Sequence, residues 1–208
     1  GFLKNNGLKA ILENPSFLAK TIDGRNLLAV NEVAKNETGF VTSFAIENDS
    51  LIFKSQSKSG GAHPCFLSVN DKNQVIVANY SGGNIGFLQL NSDGELSNLL
   101  DVQQHFGKGI TSRQEVPHAH STWFHPANNE IISVDLGTNQ LWFSTIDERS
   151  KKFVFSVQKT LQMEKAAGPR HLVFHPNKKW IYVLNELNNT ISLVQKIPSL
   201  YKIISTVS

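Results

Sequence analysis

Three residues of this 208-residue chain are of types that move protons and hold anions, and their spacing is informative. His120, in Pro117-His118-Ala119-His120-Ser121, titrates near neutrality and suits general acid–base work. Arg170, in Ala167-Gly168-Pro169-Arg170-His171, carries a permanent fork of donors fitted to a carboxylate, a phosphate or a developing oxyanion. Glu186, in Asn185-Glu186-Leu187, can take a proton or pair with that guanidinium. His118, His171, Asn185 and Asp135 are the neighbouring candidates for ligand contact. Plainer readings stand beside these: a strand-edge histidine bonded to a carbonyl, an Arg170–Glu186 pair tying two strands, and Asp135 bonding its own turn. The recurrence of Asn-Glu at 31–32 also makes a turn role possible for Glu32 and for Glu186. His118-x-His120 can begin a metal site, but no third and fourth ligands follow at a fixed spacing, so no metal is expected.

These residues acquire a common place only through the elements that carry them. The segment Pro169–Pro176 matches Ala119–Pro126, and Phe-His-Pro recurs fifty residues on, at 124–126 and 174–176. Earlier copies start at Pro64 and, more faintly, at Pro15. A period near fifty built from short apolar runs, broken by Gly, Asn, Asp and Pro, indicates propeller blades of four strands each. In the fourth repeat the strands are expected at 170–175, 179–185, 190–196 and 201–207. In the third they fall at 120–125, 130–135, 140–146 and 153–161. In the second they fall at 65–70, 74–79, 84–90 and 95–102, and in the first at 16–22, 26–31, 38–46 and 51–56. The fold class is all-β, and the chain reads as one partial propeller over 1–208. Its blades span about 14–59, 60–112, 113–163 and 164–208, and 1–13 carries the outer strand of a preceding blade at 8–12. Strand one of a blade lies innermost and strand two runs antiparallel beside it, so the start of one and the end of the other share a face. His120 and Arg170 begin strand one in adjacent blades and Glu186 follows strand two. All three are expected at one mouth of the channel.

Other features read as structure. His125 and His175 precede Pro at turns on the opposite face. Residues 80–84, Tyr-Ser-Gly-Gly-Asn, make a hairpin turn, and Trp123, Trp142 and Trp180 are expected to pack between blades. The irregular stretch 103–117 has a length usual for functional loops. Composition is that of an ordinary globular protein, 40% hydrophobic and 18% charged, with a net charge of +3 and no Lys/Arg run that would make a nucleic-acid groove. No apolar run is long enough to span a bilayer, and the first residues do not form a signal peptide. The single Cys65 allows no internal disulfide, so a cytoplasmic location is expected, with neither nucleic acid nor membrane as partner.

Taken together, these stretches resemble the lactonase family of seven-bladed propellers, which includes propeller-type 6-phosphogluconolactonases and fungal carboxymuconate lactonizing enzymes. The matching residues are His63-Pro64-Cys65, the run 78–84, Pro117–Ser121, Val134–Gly137, Gly168–His171 and Asn185–Thr190. The resemblance implies a channel-mouth site of one His, two Arg and one Glu. His120, Arg170 and Glu186 fall on the His, the first Arg and the Glu, and the second Arg belongs to a later blade. It further implies hydrolysis of a sugar lactone such as 6-phosphogluconolactone without any cofactor. A lactonizing cycloisomerase and a non-catalytic binding propeller are the alternatives. Four blades of an expected seven leave two inter-blade faces for further blades or a second chain to cover, and such a segment is expected to be a poor lactonase by itself.

Overall fold

The computed structural model describes residues 7–48 and 50–208. Sixteen strands among the described residues form four antiparallel sheets, each built of four consecutive strands. The first holds β1 (Pro15–Lys20), β2 (Asn26–Lys35), β3 (Thr38–Glu47) and β4 (Ser50–Lys58). The second holds β5 (Pro64–Val69), β6 (Gln74–Asn79), β7 (Asn84–Gln89) and β8 (Asp101–Gln104). The third holds β9 (Ala119–Phe124), β10 (Ile131–Asp135), β11 (Gln140–Asp147) and β12 (Lys152–Gln162). The fourth holds β13 (Pro169–Phe174), β14 (Trp180–Asn185), β15 (Thr190–Ile197) and β16 (Leu200–Val207). The leading strands β1, β5, β9 and β13 pack in series, β1 on β5, β5 on β9 and β9 on β13. This is the inner ring of a propeller arc.

The core lies between the blades. Leu28, Val30 and Val41 of the first blade meet Leu67, Val75, Val77 and Leu88 of the second. Phe66, Ile76, Ile85 and Phe87 of the second meet Ala119 and Ile131 of the third. Ile132, Val134, Leu141 and Phe143 of the third meet Leu172, Ile181, Val183 and Tyr201 of the fourth. Burial patterns follow from this stacking. Every residue of β6, which has a blade on each side, is buried, whereas β14 buries only alternate residues. On the far face of β14, Trp180 (37% exposed) and Leu184 stand open, so among the described residues no blade packs against Trp180. It rests on His175 instead. Trp123 and Trp142 are packed, Trp142 stacked flat on His105.

Across the third and fourth blades, Tyr201 Oη donates to Glu130 Oε2 (2.8 Å), which also pairs with Lys196 (2.9 Å). The Tyr201 ring stacks on Phe143. Tyr201→Phe keeps the stack and removes only the donor. It is expected to lower unfolding free energy by about 1–2 kcal/mol, a shift that denaturant melts would register.

Three expectations about strand limits are corrected by the structure. The last strand of the second blade is not at 95–102. Asn91 Oδ1 caps the amides of Asp93 and Glu95, only a bridge Leu90–Leu96 forms, and the ladder resumes at Asp101. Strand two of the first blade runs on to Lys35, because the chain reverses at Asn36 and Glu37, both at positive φ, so Glu32 lies within a strand. Residues 8–12 form no strand. Of these, Lys9, Ala10 and Leu12 line an apolar hollow on the first blade with Phe17, Leu27 and Phe44, while Leu8 and Ile11 are exposed. Residues 1–6 of the expected segment 1–13 lie outside the described residues. The turn histidines are as expected, His125 Nδ1 accepting from Ala127 N and His175 Nδ1 from Asn177 N. No helix among the described residues is long and apolar enough to cross a membrane.

Candidate functional site

Every inner strand bulges near its start. Pro15 pairs with Asn31 and Leu18 with Ala29, which leaves Ser16 and Phe17 out of register. Pro64 pairs with Asn79 and Phe66 with Ala78, passing over Cys65. Ala119 pairs with Asp135 and Ser121 with Val134, passing over His120. Pro169 pairs with Asn185 and His171 with Leu184, passing over Arg170. A bulge adds one residue to a strand and re-aims its side chain. The bypassed residues Ser16, Phe17, Cys65, His120 and Arg170 all line one cavity of about 530 Å³, a size suited to a small ligand.

The ends of the second strands complete the wall. Glu32, Tyr80 and Glu186, each directly after a buried Asn, line the same cavity, and so does His171. The third blade has the buried Leu136 at this position, and Arg113 of the β8–β9 loop reaches the cavity instead. This alternation corrects two expectations. Asp135 and Asn185 are fully buried and do not face the cavity; strand side chains alternate, and in the fourth blade it is the next residue, Glu186, that takes the inward direction. Asp135 Oδ1 accepts from the amides of His118 (2.9 Å) and Thr138 (2.8 Å), and its Oδ2 lies 2.7 Å from His105 Nδ1. Asn185 donates to Thr190 and Ser192. His118 does not line the cavity either. It stacks on Tyr80 with centroids 4.4 Å apart, and its Nδ1 lies 3.1 Å from the Tyr80 carbonyl oxygen.

Glu186 is the hub of the charged groups. Its Oε2 accepts from Arg170 Nε at 3.0 Å and its Oε1 from Arg113 Nη2 at 3.1 Å. Arg113 Nη2 also donates to Tyr80 Oη (3.2 Å). Burial holds His120 below the ordinary imidazole pKa, with the Arg170 charge adding to the effect. Burial, then His120 and Arg170, bring His171 down to about 4. The two rings meet edge to face at 5.3 Å. Both imidazoles are therefore neutral at pH 7 and able to accept a proton. Cys65, 3.8 Å from His120 Nδ1, has its thiol pushed up to about 12 by burial and by Glu32, which makes it a poor nucleophile. The arrangement combines a neutral base with a guanidinium beside it, the equipment for adding water to a carbonyl and holding the oxyanion. Among the described residues no group of three or more His, Cys, Asp and Glu side chains is placed to hold a metal ion.

Of the expected residues, the structure brings His120, Arg170, Glu186 and His171 together. Sequence reasoning passed over Cys65, Tyr80 and Arg113 and took Glu32 for a turn residue. Repeat phase was the available signal for Cys65, Glu32 and Tyr80, which occupy the positions of His120 and Glu186 in earlier blades.

A family model described as lactonase, 7-bladed beta-propeller, matches residues 1–202. The chain is 33% identical over 195 residues to a 6-phosphogluconolactonase of Bacillus subtilis, covering 92% of this chain and 54% of that protein. Among solved structures it is similar to a periplasmic gluconolactonase of Pseudomonas aeruginosa (TM-score 0.88, 25% identity, 95% of this chain and 58% of that one). It is also similar to a protein from Lactobacillus plantarum (TM-score 0.89, 26% identity, 100% and 59%). The chain spans about half the length of the curated relatives it matches.

Proposed function

The chain belongs to the lactonase family of seven-bladed β-propellers, and from that membership we propose that the protein carrying it hydrolyses a sugar lactone, 6-phosphogluconolactone to 6-phosphogluconate. The observation that carries the reading is the juxtaposition of His120 and Arg170 at equivalent bulges of neighbouring blades, on one cavity. His120 takes a proton from water as its oxygen attacks the ring carbonyl carbon. Arg170 holds the oxyanion of the tetrahedral intermediate. On collapse the ring C–O bond breaks, and the leaving alkoxide recovers the proton from His120. Glu186 has each carboxylate oxygen engaged by an arginine, which suits it to orienting Arg170 rather than to acting as the base. His171, neutral and against His120, packs the base in place. Further blades or a second chain covering the open faces at Leu18 and Trp180 belong to the same reading. A cytoplasmic location fits the single free thiol of Cys65, and cell fractionation would test it.

The functional test is acid release from 6-phosphogluconolactone by the full gene product, followed at constant pH and corrected for spontaneous ring opening. Release well above the spontaneous rate is expected. Tight binding of the lactone with no turnover would favour a binding propeller, and closure of a lactone from an unsaturated diacid would favour a cycloisomerase. Either result overturns the hydrolase reading.

A further inference from the structure

We propose that Arg113, supported by Tyr80, forms a separate anion subsite at the rim of the cavity that reads the phosphate of a phosphorylated lactone. The inference rests on the lactone reading and adds to it the residue that selects the substrate class.

Arg113 comes from no repeat position. It stands in the loop between β8 and β9, on a single 3₁₀ turn at Ser112–Gln114. The loop is pinned from inside. Gln114 is fully buried, and its Nε2 donates to Leu136 O (2.8 Å) and Asn139 Oδ1 (3.2 Å). His105 at the loop's start is held by Asp135 and lies flat on Trp142. The loop's exit lies against two turns where only glycine fits: a Cβ on Gly83 would stand 2.7 Å from Pro117 O, and one on Gly137 1.9 Å from Val116 O. Next to the buried anchor Gln114, Arg113 is delivered to the cavity by a stiff support, as preorganised recognition requires.

The guanidinium is only half used. Both of its protein contacts, to Tyr80 Oη and Glu186 Oε1, fall on Nη2. Nε and Nη1 have no partner among the described residues, and the side chain is 55% exposed. A guanidinium held at one nitrogen with donors to spare is suited to a planar, paired grip on phosphate oxygens. The division of labour with Arg170 follows from position. Arg170 shares the inner ring with His120, and the carbonyl must lie between them; Ser121 Oγ donates to Arg170 O (2.9 Å), tying the two strands there. The rest of the lactone then extends outward, toward Arg113 and Tyr80. A permanent, strongly hydrated anion is best met at such a partly exposed place, whereas the transient oxyanion needs the inner one.

The test compares kcat/KM for 6-phosphogluconolactone and for unphosphorylated gluconolactone in the full gene product, with Arg113→Ala and Arg113→Lys. Arg113→Ala is expected to lower the ratio of phosphorylated to unphosphorylated efficiency about 10- to 100-fold, chiefly through KM. Arg113→Lys restores part of the ratio by keeping the charge without the fork. Thermal melts identify any variant that fails to fold, and Arg113→Lys then serves as the measured variant. Equal loss on both lactones would assign Arg113 to the positioning of Glu186 and overturn the subsite, as would an unchanged ratio. A wild type active only on unphosphorylated lactone also overturns it while sparing the lactonase reading. A wild type active on neither overturns both.

Discussion

His120→Gln is expected to lower kcat/KM for lactone hydrolysis about 10²–10⁴-fold, the usual worth of a positioned acid–base group. Its pH signature is as informative as its size. The base must be neutral to act, and burial holds the His120 pKa below 6.5. Wild-type activity is therefore full at pH 7, falls as the pH drops through that lowered value and is level just above it. In His120→Gln this acid limb disappears from a profile of kcat/KM corrected for spontaneous opening. A remaining limb near pH 4 would identify His171, whose pKa lies at about 4, as the titrating base. Retention of the original limb with less than a tenfold loss would remove His120 from the chemistry.

Arg170→Ala is expected to cost about 10²–10³-fold in kcat, because it deletes the guanidinium that shares the cavity with the base where oxyanion charge develops. The loss also frees Oε2 of Glu186, which is left to Arg113 alone. If Glu186 acts only by orienting Arg170, then Glu186→Gln will cost little more once Arg170 is absent, and a double-mutant cycle will show strong coupling. Additive losses would mean that Glu186 touches the reacting atoms itself. Arg170 is about 39% exposed and lies on an inner strand whose core neighbour Leu172 is unaffected, so a thermal melt should show both variants folded.

What could be read without coordinates was whatever the repeat repeats. The fifty-residue period marked the four inner strands, and the shared phase of His120 and Arg170 placed them in one ring, with Glu186 beside them. These inferences work because strand pairing and blade order are local, copied each time the motif recurs. The same logic assigned His125 and His175 to the far turns. It faltered where one residue decides direction. Asn185 sits one position before the cavity-lining Glu186, and the period-2 alternation of a strand turns it into the blade, as Asp135 is turned at the equivalent position; there the Asp135 oxygens and the Asn185 amide nitrogen bind turns and neighbouring strands. The four inner-strand bulges that aim Ser16, Phe17, Cys65, His120 and Arg170 into the cavity were equally invisible, since a bulge appears only when two strands are set in register. Arg113 belonged wholly to the tertiary structure. Its place depends on Gln114 reaching Leu136 and Asn139, and on His105 reaching Asp135, contacts between residues with no periodic relation. Sequence period determines which elements form and stack; only packing between distant segments determines where a non-repeating loop sets its one charged side chain.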